Sequence, residues 1–444
     1  MFQRFLLLLL LFVGSNSYAV SLSATDSGEV LIFPYYSNLG GNQTLLHIST
    51  TIGTGDAALK LIFRNRQGEV ELSFNLYLSA SDTWTAAVAR VGNEARLYLP
   101  DASCIAPQLS DLQEYAVVDL SSGYIEVIQM GVTDRNVIRI SDCDQVVAAW
   151  EEGGVWANDP TSAMFPPEAI IRGTSTLINV QEGTLYSFVA TALNQFSDIV
   201  QNSAPGETIP NLSSAHDSGT KNGQTMSYAC NETECFNDSW ADPLDAVAAV
   251  LLRFTYMASY TTNPAIGAST EVIVTFPLRF YYQQKLEAPV AEMPIHLSVV
   301  DQNGQFILFD ASHIPRVVVP PTPPLPYSFE GQRESSLEVL SFNNEYVDFG
   351  NTVISGILGE DHKVFFPDDY AKTIFPDGLF YLNFGRLKLV ANSGNIYDGT
   401  AGIGYSLERF VNNQLIDPQG KAVRANYGGA NKLSVLVSIR SPQP

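Results

Sequence analysis

The sequence has little charge, and only a minor part of that charge is positive. Charged residues make up 16% of the 444 residues, below the roughly 25% of an average soluble domain. Only 24 residues are Lys or Arg against 46 Asp or Glu, so the formal net charge is −22. A surface of this sign repels phosphate backbones and anionic lipid headgroups. We therefore expect neither nucleic-acid binding nor peripheral binding to a membrane.

Long apolar runs are missing after the N-terminus. Arg4 precedes the unbroken apolar run Phe5 to Val13, and Ser17-Tyr18-Ala19 forms a small-x-small cleavage site. This is the pattern of a secretory signal peptide, and the run is too short to span a bilayer. We expect residues 1–19 to be removed, with an uncleaved N-terminal anchor as the alternative. The sequence thus predicts an exported protein, extracellular, at the cell surface or periplasmic, with no transmembrane segment.

Local catalytic motifs are also missing. The sequence contains no Gly-x-Ser-x-Gly elbow and no His-Glu-x-x-His zinc motif, and Gly53 to Lys60 lacks the ending of a phosphate-binding loop. Only Glu360 to His362 places two carboxylates beside an imidazole. A glycosidase, however, needs just two carboxylates across a cleft, and these leave no local pattern. Enzymatic activity therefore stays open, and a non-enzymatic role is favoured.

Cysteines are few but even in number: Cys104, Cys143, Cys230 and Cys235. Export permits disulfides, and four cysteines allow three connectivities. Cys230 and Cys235 bracket a short polar loop and pair most simply with each other, which leaves Cys104 with Cys143. A metal site is the alternative, but the chain has no Cys-x-x-Cys and no His near either pair. We predict the two disulfides 104–143 and 230–235.

Two dense acidic spots are the only candidates for a bound ion. Asp142 and Asp144 flank Cys143, and Asp368 and Asp369 are adjacent in "FPDDY". Carboxylate and backbone oxygens are the ligands that calcium prefers. Calcium is thus a candidate ligand at either spot, and we expect no other cofactor.

The chain reads as β-strands nearly throughout. "EVELSFNLYL", residues 69–78, alternates apolar and polar side chains over ten residues, as a half-buried strand does. "NRQG" joins it to the preceding apolar strand, and "DQNG" marks a second hairpin between "IHLSVV" and "QFILFD". Helical periodicity is convincing only in "DPLDAVAAVLLRF". We predict an all-β protein of β-sandwich modules with long loops and a β-rich C-terminal domain.

One stretch admits two interpretations. "GEVLIFPYYSN", residues 28–38, is either an aromatic platform for a ligand or a strand that enters the core. Its side chains are apolar on both faces, which is typical of a strand between two packed layers. Alternation places Phe33 and Tyr35 on the same face, and Pro34 indicates an edge or a strand end because it donates no ladder hydrogen bond. We favour the core strand.

Composition divides the mature chain into regions. We place β regions at 20–155 and 160–314, the second either separate or fused with the first, and a β-rich C-terminal domain at 327–444. The segment 315–326 contains six prolines in twelve residues, which favours an extended, semi-rigid linker.

Several blocks resemble a family of exported, β-rich proteins of Gram-negative bacteria that are labelled cell-surface proteins. In order they are "LIFPYYSN", "FNLYLSASDTWTA", "GYIEVIQMG", "TSTLINVQEGTLYSFVATAL", "NPAIGASTEVIVTFPLRFYY" and "EVLSFNN", which together span roughly residues 28 to 345. The resemblance implies an exported bacterial β protein and carries over no catalytic residue. Members of the family tend to have a Trp where this chain has Glu271 to Ile273, and a Cys before "EVLSFNN". This chain lacks both, so the resemblance implies no third disulfide.

Two classes of function fit these observations. The first is a structural or adhesive surface protein that binds a cell-surface protein, a glycan or another copy of itself. The second is a carbohydrate-active protein, either a glycan-binding module or a glycoside hydrolase. Loops display binding groups on a rigid scaffold, so Tyr228 and Trp240, in and beside the polar stretch 201–238, are the candidate binding residues. A coplanar set of exposed aromatics would favour the second class, and a long unpaired edge strand the first.

Overall fold

A computed structural model of the chain describes most of the predicted mature protein. The described residues are 18–92, 94–107, 114–117, 120–220, 223–263, 266–286, 295–301, 304, 306–308, 316–317, 337–342, 352–354, 361–365, 376–384, 387–412, 418–420 and 425–442.

Thirty-two strands form in these described residues. The first sixteen are β1 Val20–Leu22, β2 Val30–Ser37, β3 Asn42–Thr50, β4 Asp56–Asn65, β5 Val70–Leu78, β6 Thr83–Val91, β7 Glu94–Tyr98, β8 Cys104–Ala106, β9 Glu114–Val117, β10 Ser122–Thr133, β11 Met164–Phe165, β12 Ile171–Asn179, β13 Thr184–Val189, β14 Thr191–Asn194, β15 Thr225–Cys230 and β16 Cys235–Trp240. The others are β17 Leu252–Arg253, β18 Thr255–Thr261, β19 Ala268–Thr275, β20 Ile295–Asp301, β21 Phe306–Leu308, β22 Arg316–Val317, β23 Leu337–Phe342, β24 Thr352–Ile354, β25 Asp361–Phe365, β26 Asp377–Phe384, β27 Leu387–Val390, β28 Ile396–Ala401, β29 Ile403–Asn412, β30 Ala425–Lys432, β31 Ser434–Leu436 and β32 Ser438–Arg440.

Helices are few and short over the same residues: α1 Cys143–Trp150, α2 Val155–Asn158, α3 Pro243–Leu251 and α4 Arg279–Leu286. The predicted helix is confirmed as α3, which begins at Pro243 after the Asp242 side chain caps the Leu244 amide. Helix α4 was not predicted, since its residues continue an apolar run that reads as strand. None of the described helices has the length and apolarity needed to cross a bilayer.

The strands form five sheets, and nearly all their pairings are antiparallel. Sheet 1 has the order β16-β15-β1-β14-β2-β10-β4-β5-β8, with β11 added beside β10. Sheet 2 is β13-β12-β3-β6-β7-β9, sheet 3 is β22-β21-β20-β26-β18-β31, and sheet 4 is β24-β25-β23-β19-β29-β30. Sheet 5 contains β17, β28 and β27, with β32 beside β28. The fold is therefore all-β, as the strand periodicity predicts.

Sheets 1 and 2 pack face to face as a β-sandwich. The shared core contains Phe33 and Phe63 from sheet 1 and Leu46, Trp84 and Leu97 from sheet 2. The opposite side of sheet 1 is covered as well, by α3 and strands of sheets 4 and 5 in one part and by α1 and α2 in another. Sheet 1 is thus the middle layer, which explains why its central strands are apolar on both faces.

Strand β2 settles the interpretation of "LIFPYYS", because all eight of its residues are buried. The expected facing was wrong, however: Phe33 lies in the core shared by sheets 1 and 2, whereas Tyr35 belongs to a second core cluster, where its ring packs edge-on against Phe188 of β13. The register against β10 shifts between the Phe33 and Tyr36 pairs, so a bulge at Pro34 changes the alternation. Strand β14 pairs with β2 only from Val30 to Ile32, so Pro34 lies beyond that pairing and its missing N–H breaks no ladder bond with β14.

The predicted regions share sheets. Strands β12 and β13 of region 160–314 extend the sheet of β3, from region 20–155. Strand β19 of the second region pairs with β23 and β29 of region 327–444. The proposed linker 315–326 lies outside the described residues apart from β22, whereas the two predicted hairpins form as β4–β5 and β20–β21.

Both predicted disulfides are present. Cys104 bonds to Cys143, and Cys230 bonds to Cys235 across a separation of only five residues. The first ties β8, at one edge of sheet 1, to the start of α1, and the second closes the end of the β15–β16 hairpin. By loop-closure entropy, the disulfide that closes the longer loop stabilises the fold by roughly 4 kcal/mol, and the disulfide that closes the shorter loop stabilises it by roughly 2 kcal/mol.

Candidate interaction face

The outer side of sheet 2 is a regular surface that faces away from the shared core. Along β3 and β12 buried residues alternate with more exposed ones, so every second side chain points away from the core. We call the outward residues of β3, β6, β12 and β13 the neutral face. They are Gln43, Leu45, His47, Ser49, Thr83, Thr85, Ala87, Arg172, Thr174, Thr176, Ile178, Leu185, Ser187 and Val189.

Strand register aligns these side chains in rows across the sheet. Thr176 lies opposite Ser187 on one side and Leu45 on the other, and Leu45 lies opposite Ala87. The hydroxyls of Thr176 and Ser187 are 3.2 Å apart, and Thr83 bonds to Ser49 at the same distance. Such cross-strand pairs fix side-chain positions, so the face presents an ordered pattern of hydroxyl and methyl groups.

The neutral face carries no carboxylate. None of the strands β3, β6, β12 and β13 contains Asp or Glu, in a chain with 46 acidic residues. Arg172 and Arg90 are the only charged residues of these strands, and both lie close to strand ends. At one margin β7 carries the ion pair Arg96–Glu94, and at another Glu182 lies in the β12–β13 turn.

Apolar side chains are exposed at one end of this face. Leu185 is 52% exposed and Val189 is 43% exposed, both on β13, and Val180 in the adjoining turn is more exposed still. The backbone edge of β13 is nevertheless not free. The Tyr405 hydroxyl donates to the Val189 carbonyl at 2.9 Å, and the Asn426 amide donates to the Glu182 carbonyl. Contact is therefore available through the face of sheet 2 rather than through this edge.

The two predicted binding residues have different environments. Trp240 is 2% exposed, and its indole N–H donates to the Ser227 hydroxyl at 2.7 Å while its ring packs edge-on against Tyr397. Tyr228 points outward from β15 and is 46% exposed. Trp240 thus has the surroundings of a core residue, and only Tyr228 is accessible to a partner.

The polar stretch before β15 is held against sheet 1. The carbonyl of Ala204 accepts from the Lys60 ammonium at 2.7 Å, and the carbonyl of Ser203 accepts from the Asn75 amide at 2.9 Å. Ser73 bonds to the carbonyl of Glu207. Residues 225–240 then form the β15–β16 hairpin of sheet 1. This stretch therefore lies on sheet 1 rather than projecting from it, because its carbonyls accept hydrogen bonds from buried polar groups of β4 and β5.

Lys60 gives a prediction about pH. Its side chain is fully buried, and burial lowers the pKa of its ammonium to about 7, while Glu207 opposes this. Above pH 7 the unfolded chain binds a proton at Lys60 that the native protein releases, so the free energy of unfolding rises with pH up to about 10. We expect this rise, about 1 kcal/mol per pH unit, to disappear in Lys60→Met.

Urea unfolding at pH 7, 8, 9 and 10 measures the difference between wild type and variant. The exposed Lys388 provides the control, since Lys388→Met should leave the pH dependence unchanged. Parallel pH profiles for wild type and Lys60→Met would show that Lys60 is protonated in the native state throughout this range.

Of the four aspartates predicted as calcium candidates, the structure describes Asp142 and Asp144. The Asp142 side chain accepts from the Gln145 amide and caps α1, whose first turn contains Asp144. Asp368 and Asp369 lie outside the described residues, as do Glu360 and the side chain of His362. Within the described ranges, no group of three or more Asp, Glu, His or Cys side chains is placed to hold a metal ion.

One cluster superficially resembles a hydrolytic triad. His216 Nδ1 lies 2.9 Å from Asp198 Oδ1, and the hydroxyl of Ser218 bonds to the other oxygen of the same carboxylate. A nucleophile would have to bond to the imidazole instead. The Ser218 amide also donates to Asp198, so the arrangement fastens the segment of residues 196–198 to residues 216–218.

Exposed aromatic side chains do not form a platform in the described part of the chain. Phe165, Tyr228 and Tyr427 are the strongly exposed aromatics, and they lie on β11, β15 and β30, no two of which are neighbours in a sheet. The sequence reasoning placed binding on the loop and missed the neutral face. The signal for it is the pair of stretches "QTLLHIST" and "GTSTLIN", which combine strand alternation with a lack of Asp and Glu.

Comparisons with protein-family models, with curated proteins and with solved structures give no match to this chain.

Proposed function

We propose that this protein is an exported, non-enzymatic contact protein that associates with a second copy of itself through the neutral face. The observation that carries the proposal is the absence of carboxylates from this face of a chain whose net charge is −22. The two disulfides are compatible with an exported protein. The proposed role is structural or adhesive, because the protein would act by binding a second copy of itself.

Charge favours a second copy at this face over other surfaces. Two molecules of the same strongly acidic chain repel each other, and opposing carboxylates in an interface cost several kcal/mol. A two-fold contact places one patch against itself. Only a patch without carboxylates avoids that penalty, and the neutral face is such a patch.

The size of the face predicts a reversible association. Its four strands, spaced by about 4.8 Å with up to nine residues each, cover roughly 20 by 30 Å. Two such faces stacked at about 10 Å would bury roughly 1,200 Å² in total. This is the lower limit for a specific stable interface, so we expect a dimer in equilibrium with monomer.

Salt dependence tests the proposal. The Debye length falls from roughly 20 Å at 20 mM salt to about 4 Å at 500 mM, which screens the repulsion between the two acidic bodies. In sedimentation velocity, residues 20–444 should therefore dimerise more tightly at 500 mM NaCl, with a dissociation constant roughly tenfold lower.

Two variants place a carboxylate on the face. Thr176→Asp at its centre and Leu185→Asp at its exposed margin should each weaken the dimer about tenfold or more, because the new charges face their own copy. Thr208→Asp makes the same change at an exposed position away from sheet 2 and should dimerise like wild type. A monomer at every salt concentration, or equal effects of Thr176→Asp and Thr208→Asp, would contradict self-association.

The hydroxyl rows of the neutral face also support a second candidate, a neutral glycan. A neutral ligand would bind with the same affinity at low and high salt, in contrast to a second acidic copy. The face would instead be assigned to carbohydrate by the following result. The wild type is a monomer and is retained on a glycan array equally at low and high salt, and Thr176→Asp is no longer retained.

A further inference from the structure

A groove opens beside the 230–235 disulfide, on sheet 1 and away from the neutral face. Its walls come from β1, from β15, from α3 and from the segment around β31, and its volume is about 250 Å³. Leu22, Tyr228, Val250, Val435 and Val437 make most of the lining apolar. Leu22 and Tyr228 are both strongly exposed at its rim.

Arg253 forms the polar part of this groove. It follows α3, and its Nη1 donates to the carbonyl of Leu252 at 2.7 Å and to the helix-terminal carbonyl of Val250 at 3.1 Å. These two bonds hold the guanidinium at the C-terminus of α3, where the helix dipole favours a cation. Within the described residues Nε and Nη2 have no hydrogen-bond partner, and together they present the fork that binds a carboxylate through two bonds.

No carboxylate of the described residues contacts Arg253, in a chain with 46 acidic residues. Burial lowers the pKa of the guanidinium, which nevertheless stays charged. Desolvation lowers the pKa of Lys432, a second cation of this region, and the nearby Arg253 lowers it further, whereas Asp26 acts in the opposite direction. Glu232 lies beside the lining residue Val437, whose amide donates to the Glu232 carboxylate at 3.2 Å.

A partly buried cation without a counter-charge is destabilising, so an anion from outside would relieve it. The groove around it is apolar, so the same ligand must bring an apolar body. A volume of about 250 Å³ corresponds to roughly eight water molecules in the liquid, and so to a ligand of about ten non-hydrogen atoms.

We propose that this groove binds a small aliphatic carboxylate, with the carboxylate on Nε and Nη2 of Arg253 and the aliphatic chain between Tyr228, Leu22 and Val437. This site is separate from the neutral face, so it stands or falls independently of self-association.

Octanoate is the probe, and octanol is the matched neutral ligand. In isothermal titration of residues 20–444, octanoate should bind at least tenfold more tightly than octanol. Arg253→Met keeps the bulk of the side chain and removes the charge. It should weaken octanoate binding about 10- to 100-fold, the range that a charge-assisted hydrogen bond supplies, and leave octanol unchanged.

Two further variants complete the test. Arg139→Met removes an exposed arginine outside the groove and should leave octanoate binding as in wild type. Leu22→Asp places a carboxylate at the exposed rim and should weaken the binding of octanoate more than the binding of octanol. This variant replaces Arg253→Met in the test if Arg253→Met does not fold. Equal affinities for octanoate and octanol in wild type, or the same octanoate affinity in the Arg253→Met and Arg139→Met variants, would overturn the proposal.

Discussion

Arg64→Met is expected to lower the free energy of unfolding by about 3–5 kcal/mol, because it removes the counter-charge of Glu126 in the interior. Arg64 is 1% exposed and Glu126 is 0% exposed. Their ion pair joins Nε to Oε1 at 2.5 Å, between the adjacent strands β4 and β10.

The pair belongs to a larger buried network. The Tyr281 hydroxyl donates to Glu126 Oε2 at 2.7 Å, and Arg64 Nη1 donates to the carbonyl of Gly68 at 2.7 Å. The guanidinium also lies 4.7 Å from the centre of the Tyr281 ring. The network therefore fixes α4, which carries Tyr281, onto sheet 1.

The double variant Arg64→Met/Glu126→Leu separates loss of a partner from loss of the pair. A buried ion pair replaced by apolar residues is often neutral, whereas half a pair is strongly destabilising. The double variant should thus be more stable than Arg64→Met. It still loses about 1–3 kcal/mol of stability, because the Tyr281 hydroxyl no longer has its acceptor. Denaturant unfolding at pH 7 measures all three proteins.

Arg96→Met is the matched control, because Arg96 pairs with Glu94 at 3.2 Å on the surface. Exposed ion pairs contribute less than about 1 kcal/mol. If Arg64→Met changed stability no more than Arg96→Met does, the buried network would not be a determinant of the fold.

Phe33→Ala should also cost about 3–5 kcal/mol, since it opens a cavity in the core between sheets 1 and 2. Phe33 is 1% exposed and lies among the apolar side chains of both sheets. Phe165→Ala gives the control: that ring is 51% exposed, so the change should stay within about 0.5 kcal/mol.

The neighbour of Phe33 provides an independent check. A Cβ on Gly173 would overlap the Cζ atom of the Phe33 ring, so Gly173→Ala should destabilise wild type. The same substitution should be better tolerated after Phe33→Ala, and this coupling is measurable as a double-mutant cycle. A Phe33→Ala variant that melts like wild type but loses binding would instead make the ring part of a ligand platform.

Features that depend only on neighbouring residues are readable from the sequence. Alternation in residues 69–78 predicted β5, the cap and proline before α3 predicted that helix, and the spacing of Cys230 and Cys235 predicted their bond. Each of these depends on local geometry: the two-residue period of a strand, the cap of a helix, or the short reach of a loop.

Which groups meet across the chain depends on the pairing and packing of distant strands and helices. Glu126 and Tyr281 are 155 residues apart, and no local pattern marks them as partners. The bulge at Pro34 moved Tyr35 out of the core cluster that holds Phe33, because the register of β10 rather than the sequence of β2 sets the facing there. The neutral face likewise exists only because β12 pairs on one side with β13 and on the other with β3, which is more than 120 residues away. Strand alternation fixes that one side of each strand faces outward, but the pairing of distant strands decides which outward sides form a common surface.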